Sequence, residues 1–197
     1  MGKEKYLKDI EILFKKSPIV NSSSIQRIVK KNKASSQYHK QLIRNLLLKG
    51  KIKRLTKGFY SLHEDPSLLV LCLKPSYLGL QDALSFHNLW EQETIPIIIT
   101  ARKVRTGMHK ILGSNVLIRR INKKYLFGFD YYKQDDLFLL YSDIEKTFID
   151  MIYFKENLNK EVIKNILKRI DMKKLNSYLK VYPKKFQKKV LNYFNQP

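Results

Sequence analysis

Cysteine is almost missing from this chain. The single thiol, Cys72, has no second sulfur to bridge to and leaves no thiolate cluster for zinc. Inside the apolar run 68–73 it reads as a small buried hydrophobe. Long apolar runs are missing too: none approaches the ~18 uninterrupted residues a membrane span requires. The opening segment, MGKEKYLKDIEILFKK, mixes acid and base around an apolar stripe, unlike a signal peptide, so a cytoplasmic location without membrane attachment is expected. The four histidines, at 39, 63, 87 and 109, have no HxxxH or HxE spacing, and Gly107 and Gly113 stand too far apart for a phosphate-cradling loop. Glu145 and Asp150, five apart, do not share a helix face and read as a cap and a surface charge. With metal, phosphate-loop and paired-carboxylate signatures all absent, the expectation is a protein that is not an enzyme and carries no metal or cofactor.

Acidic residues are the scarcest class relative to their opposites: 17 against 39 lysines and arginines, for a net charge of +22 and a pI near 9.9. Such a surface attracts phosphate backbones. Lysine outnumbers arginine 31 to 8, which AT-rich coding DNA would also produce, but a compositional drift spreads charge evenly. Here it is segregated. Residues 1–62 hold 16 basic and 3 acidic side chains, residues 63–155 hold 12 and 11, and residues 156–197 hold 11 and 3. A nearly neutral centre between basic ends fits a nucleic-acid-binding head, a packed middle and a basic helical tail. With 44% hydrophobic residues over 197 positions, two or three packed units can form.

The head resolves into elements. Tyr6, Ile10, Leu13 and Phe14 predict a first helix over Lys3–Lys16, stopped by Pro18. Capping side chains at Asn21–Ser24 followed by Ile25, Ile28 and Val29 predict a second, ending near Lys31. Ser35-Ser36 opens a third, to about Lys49, with Gly50 at the position of a left-handed terminator. Tyr38, His39, Leu42, Ile43, Leu46 and Leu47 share one side of it, which makes His39 a core histidine. Gln37, Gln41 and Arg44 share the other, flanked by Lys40. Lys51–Leu55, a turn at Thr56-Lys57-Gly58 and Phe59–Leu62 then read as a basic hairpin. Three short helices and a hairpin in this order are the pattern of a winged helix-turn-helix. A major groove about 12 Å wide admits one helix, and its floor offers the paired acceptors and donors that arginine and glutamine match. Gln37, Gln41 and Arg44 are therefore the candidate base readers, and Ser36, Lys40, Lys53, Arg54 and Lys57 the candidate phosphate contacts. A solvated face, or a surface for protein contacts, would show the same pattern.

Beyond a turn-rich linker at 63–67, a helix is expected over 78–89 on the stripe Leu80, Ala83, Leu84 and His87. The runs Ile95–Thr100, Val116–Ile121, Tyr125–Tyr132 and Leu137–Tyr141 predict a small mixed or antiparallel sheet. Ser142 and Glu145 form a capping-box pattern opening a helix with Phe148, Ile149, Ile152 and Tyr153. In the tail, Asn159 caps a helix bearing Val162, Ile163, Ile166, Leu167 and Ile170, and Pro183 starts another. Their basic outer faces are either DNA-backbone contacts or solvated lysines. The fold class expected is α+β: a winged helix-turn-helix over 1–62, a small mixed α/β domain over 67–155, and a basic helical tail over 156–197 packed on the body.

With these elements placed, the chain resembles the AbiEi family, the antitoxin and transcriptional-regulator half of AbiE-type toxin-antitoxin pairs. The likeness spans about residues 1–155 and is carried by the wing segment Gly50–Tyr60, by Tyr77-Leu78-Gly79-Leu80-Gln81-Asp82-Ala83-Leu84-Ser85-Phe86-His87, and by Glu145-Lys146-Thr147-Phe148-Ile149-Asp150. The resemblance implies a head that binds inverted repeats in its own promoter, with a homodimer on the DNA as the matching arrangement. It also implies a second domain that counteracts a nucleotidyltransferase-like toxin, with or without touching it. Glu145, Lys146, Thr147 and Asp150 match the family's second-domain motif and carry a packing role. Two further readings stay open: a stand-alone winged-helix transcription factor without a toxin partner, and an RNA-binding or scaffolding module.

Overall fold

A computed structural model describes residues 3–31 and 38–195 of the chain. It is a mixed α+β protein, with nine α-helices and two sheets among the described residues. The chain divides into two compact units, residues 1–72 with 110–114, and residues 73–109 with 115–197.

The first unit is built on α1 (Lys3–Lys16), α2 (Ser22–Lys31) and α3 (Tyr38–Leu48), with a three-stranded antiparallel sheet of β1 (Val20–Asn21), β2 (Lys53–Thr56) and β3 (Phe59–Ser61) in the order β1-β3-β2. Apolar residues four apart put Ile10 and Phe14, Ile25 and Val29, and Leu42 and Leu46 on inward faces. These six, with Val20, Ile43, Ile52 and Tyr60, form one buried cluster. Burying each such side chain contributes roughly 1.5–3 kcal/mol against leaving it in water. Asn21 caps α2, its Oδ1 accepting from the Ser24 amide at 2.8 Å. Gly50 ends α3 at φ +67°. Its amide donates to the Leu47 carbonyl and the Lys51 amide to that of Leu46, the paired bonds of a Schellman terminator, which needs a left-handed residue there. The two-residue β1 has no sequence counterpart among the expected strands. It pairs through Val20 with Tyr60 and through Asn21 with Phe59, and the Ser22 amide donates to the Gly58 carbonyl at 2.8 Å, tying the hairpin turn to the start of α2.

The segment expected as a linker, 63–67, lies inside this unit. Asp65 caps a 3-10 turn at Pro66–Leu68 by accepting from the Ser67 amide, and the turn runs into α4 (Leu69–Cys72), whose four side chains are buried. Polar turn residues at 63–65 look like a linker because no local pattern shows that the apolar run after them clusters with the first unit.

The larger sheet is mixed and six-stranded, in the order β6-β7-β5-β4-β9-β8, and all of it but the tip of its β6-β7 hairpin, residues 110–114, belongs to the second unit. Its strands are β4 (Ser76–Leu78), β5 (Ile97–Thr100), β6 (Gly107–Ile111), β7 (Ser114–Arg120), β8 (Phe129–Gln134) and β9 (Leu137–Ser142). The centre is parallel between β4 and β9 and between β5 and β7, and antiparallel between β4 and β5. Every residue of β4 and β5 is buried, as central strands covered on both faces must be. β4 and β6 were not among the expected strands, and Tyr125, expected in one, ends a 3-10 turn. Helices α5 (Leu80–Phe86), α6 (Ile144–Tyr153), α7 (Lys160–Arg169), α8 (Met172–Leu179) and α9 (Lys184–Leu191) complete the unit, with α6 packed against α5, α7 and α8. The residues expected as a basic helical tail packed on the body cluster with the second unit.

Candidate nucleic-acid interface

The exposed edge of α3 arises from its stripe. Because His39, Leu42, Ile43 and Leu46 are buried, Lys40, Gln41 and Arg44 are turned to solvent. Lys40 and Arg44, one turn apart, border a shallow hollow in the first unit together with Arg54 of β2 and Ser22 at the start of α2, over an apolar floor that includes Ile43 and Tyr60. Two arginines and one lysine thus line one concave surface, and no acidic residue lines it. All three groups only donate hydrogen bonds, and the guanidinium forks match paired acceptors such as phosphate oxygens or the edge of guanine.

The remaining candidates divide. Gln37 and Ser36 lie outside the described residues. Gln41 is exposed on the α3 edge, and Lys57 is exposed in the hairpin turn. Lys53 is engaged: its Nζ lies 2.7 Å from Glu64 Oε1, and this hydrogen bond holds the exposed Glu64 carboxyl below the usual range. The Lys53 ammonium keeps two further N–H donors, which a phosphate can take beside that carboxylate.

The second unit holds a buried polar network that sequence reasoning missed. Asp150, read as a surface charge, is fully buried. It accepts from the Tyr77 hydroxyl at 2.6 Å and from the Nζ of Lys146, itself fully buried and set over the Tyr77 and Phe127 rings. Burial pushes the Asp150 carboxyl up against the pull of Lys146, lowers the Lys146 ammonium, and raises the Tyr77 hydroxyl well above its ordinary range. The expected cap is displaced by one residue, and because Lys146 then stands at the third helical position, α6 opens without a capping box. Asp143 caps α6, accepting from the Lys146 amide at 2.7 Å, while Ser142 turns inward to share a hydrogen bond with Thr147. Glu145, also buried, accepts instead from the Asp171 amide at 2.9 Å and pairs with Lys174, which also pairs with Asp143. The one available signal was the i, i+4 spacing of Lys146 and Asp150. Each polar atom of this pair is satisfied within the protein, so it reads as packing chemistry.

Cys72 is buried, and burial pushes its thiol up to about 12, which keeps it protonated at neutral pH. Among the described residues no group of three or more histidines, cysteines or acids is placed to hold a metal ion. No helix among them is long and apolar enough to cross a membrane.

Architecture places the chain among mixed α+β proteins with two sheets. No family model and no curated protein matches it. Among solved structures it is similar in fold to the crystal structure of the RV2827C protein from Mycobacterium tuberculosis, with a TM-score of 0.60, 11% sequence identity, and coverage of 91% of this chain and 72% of that one. At that identity the likeness is one of fold alone.

Proposed function

We propose that this protein is a sequence-specific DNA-binding autorepressor and the antitoxin of an AbiE-type pair. On this reading the first unit is a winged helix-turn-helix, with α3 as recognition helix and the β2–β3 hairpin as wing. Gln37, Gln41 and Arg44 read base edges, while Ser36, Lys40, Lys53, Arg54 and Lys57 hold phosphates. Two copies would bind the inverted repeats of the operator, matching their two-fold symmetry. The cytoplasmic partner would be a nucleotidyltransferase-like toxin, and the protein itself performs no catalysis.

One observation carries the reading: the exposed α3 edge and the hairpin present Lys40, Arg44 and Arg54 to one hollow free of acid. A solvated face has no reason to gather cations from two elements, since like charges repel, whereas a duplex offers phosphates to both. Footprinting the full chain on the DNA upstream of its own gene tests it, with structured RNA of equal length as competitor. A protected inverted repeat, outcompeted by duplex and not by RNA, is expected. Arg44→Ala should cost ~1–3 kcal/mol on the operator and relax base preference, whereas Lys57→Ala should weaken all duplexes alike and reduce the salt slope by about 1. Equal losses on operator and random DNA for both variants would refute the division of labour, and RNA preference would refute the DNA reading.

A further inference from the structure

Two of the three acids in the last stretch of chain are engaged within the protein. Residues 156–197 contain Glu156, Glu161 and Asp171. Glu156 pairs with Arg119 at 2.9 Å and accepts from Gln81, and Asp171 caps α8. From Met172 onward there is no acidic residue and there are seven lysines. Lys174 is taken up by Asp143 and Glu145, but α9 presents Lys184, Lys185, Lys188 and Lys189, all exposed. No carboxylate pairs with any of these four among the described residues.

Their placement on α9 is one-sided. At about 100° per residue the four lysines cover an arc of roughly 140°, centred opposite the buried Val190 and half-buried Phe186. Lys184 and Lys188, and Lys185 and Lys189, form two columns with a rise of about 6 Å. Like charges at this spacing repel, and Lys184 and Lys185 also sit in the first turn, where the helix dipole disfavours cations. A polyanion relieves all of these costs together. Compact ammonium groups lack the planar fork that reads base edges, so phosphate rather than base is their fit. A membrane surface fits less well, because a helix lying on lipid must offer an apolar face, and that of α9 is turned into the protein.

We propose that the lysine face of α9 is a second duplex-backbone contact surface, belonging to the second unit and indifferent to sequence. It rests on the DNA-binding reading above, and the experiment separates the two. Binding of the full chain to an upstream duplex and to a scrambled duplex of the same composition is measured by anisotropy across a salt series. The chains compared are the wild type, Arg44→Ala, the fourfold variant Lys184→Gln, Lys185→Gln, Lys188→Gln, Lys189→Gln, and a control of equal net charge, Lys103→Gln, Lys123→Gln, Lys133→Gln, Lys155→Gln. The α9 variant should lose on the order of tenfold or more on both duplexes, keep the preference between them, and lower the salt slope by about 2–4, at about 0.9 per phosphate contact. An unchanged slope overturns the α9 surface and leaves the head reading standing. An equal loss in the control overturns it in favour of bulk charge, and loss of binding to phosphatidylserine vesicles with unchanged duplex affinity overturns it in favour of a lipid surface. If the wild type shows no preference between duplexes and Arg44→Ala changes nothing, the head reading fails instead.

Discussion

Lys146 and Asp150 carry opposite formal charges at positions with no exposure to solvent, four residues apart on α6. Removing one partner of such a pair leaves the other charge buried without compensation, which costs about 3–5 kcal/mol. Asp150→Ala should therefore lower stability by about that amount in urea unfolding, with Tyr77 losing its acceptor as well. The double variant Lys146→Met, Asp150→Leu should recover most of the loss, and an equally large loss in both would show that the cost lies in packing. His87 makes a separate prediction. Its Nε2 lies 2.8 Å from the Ser142 carbonyl, and partial burial lowers its pKa below the ordinary 6.5, the nearby Arg169 adding to this and the carbonyl opposing it. The unfolded chain therefore takes up the proton first, so the stability supplied by neutral His87 is intact above pH 6.5 and is lost as the pH falls through the lowered folded value. Melting temperatures of the wild type should drop between pH 7.5 and 5.5 more than those of His87→Gln, and parallel curves would remove His87 from the account.

At the scale of elements, caps decide where helices begin, and they were legible in proportion to how simple the local competition was. Asn159 precedes a strong stripe and does cap α7, accepting from the Val162 amide at 2.7 Å. Around α6, Ser142 and Asp143 are both competent caps, and only the fold chooses: the Ser142 hydroxyl is engaged by the buried Leu78 carbonyl and Thr147 hydroxyl, which leaves the cap to Asp143. α8 escaped notice because eight residues with two buried leucines, Leu175 and Leu179, make a weak stripe. Its cap, Asp171, accepts from the amides of Lys173 and Lys174. Asp171→Ala should cost about 1 kcal/mol in chemical unfolding, and no measurable change would mean that α8 is held by the Lys174 clamp to Asp143 and Glu145 alone. Strand β4 was hidden for a different reason: Ser76-Tyr77-Leu78 is too short to show alternation, and it exists because β5 and β9 flank it.

On the scale of the whole molecule, the sequence by itself determined the features that local periodicity and counting control. The bounds of α1, the three-helix order, the hairpin after Gly50, the inward face of α3 and the segregation of charge all depend on neighbours within a few positions, where side-chain spacing and backbone preference act directly. Only the tertiary structure decided the division at 72/73 in place of 63–67, the strand order β6-β7-β5-β4-β9-β8, the burial of Glu145, Lys146 and Asp150, and the meeting of Arg44 with Arg54 at one hollow. Each of these joins residues far apart in the chain. Whether a charge is a solvated ornament or a buried partner is set by what the rest of the chain brings against it, a term that no local window contains.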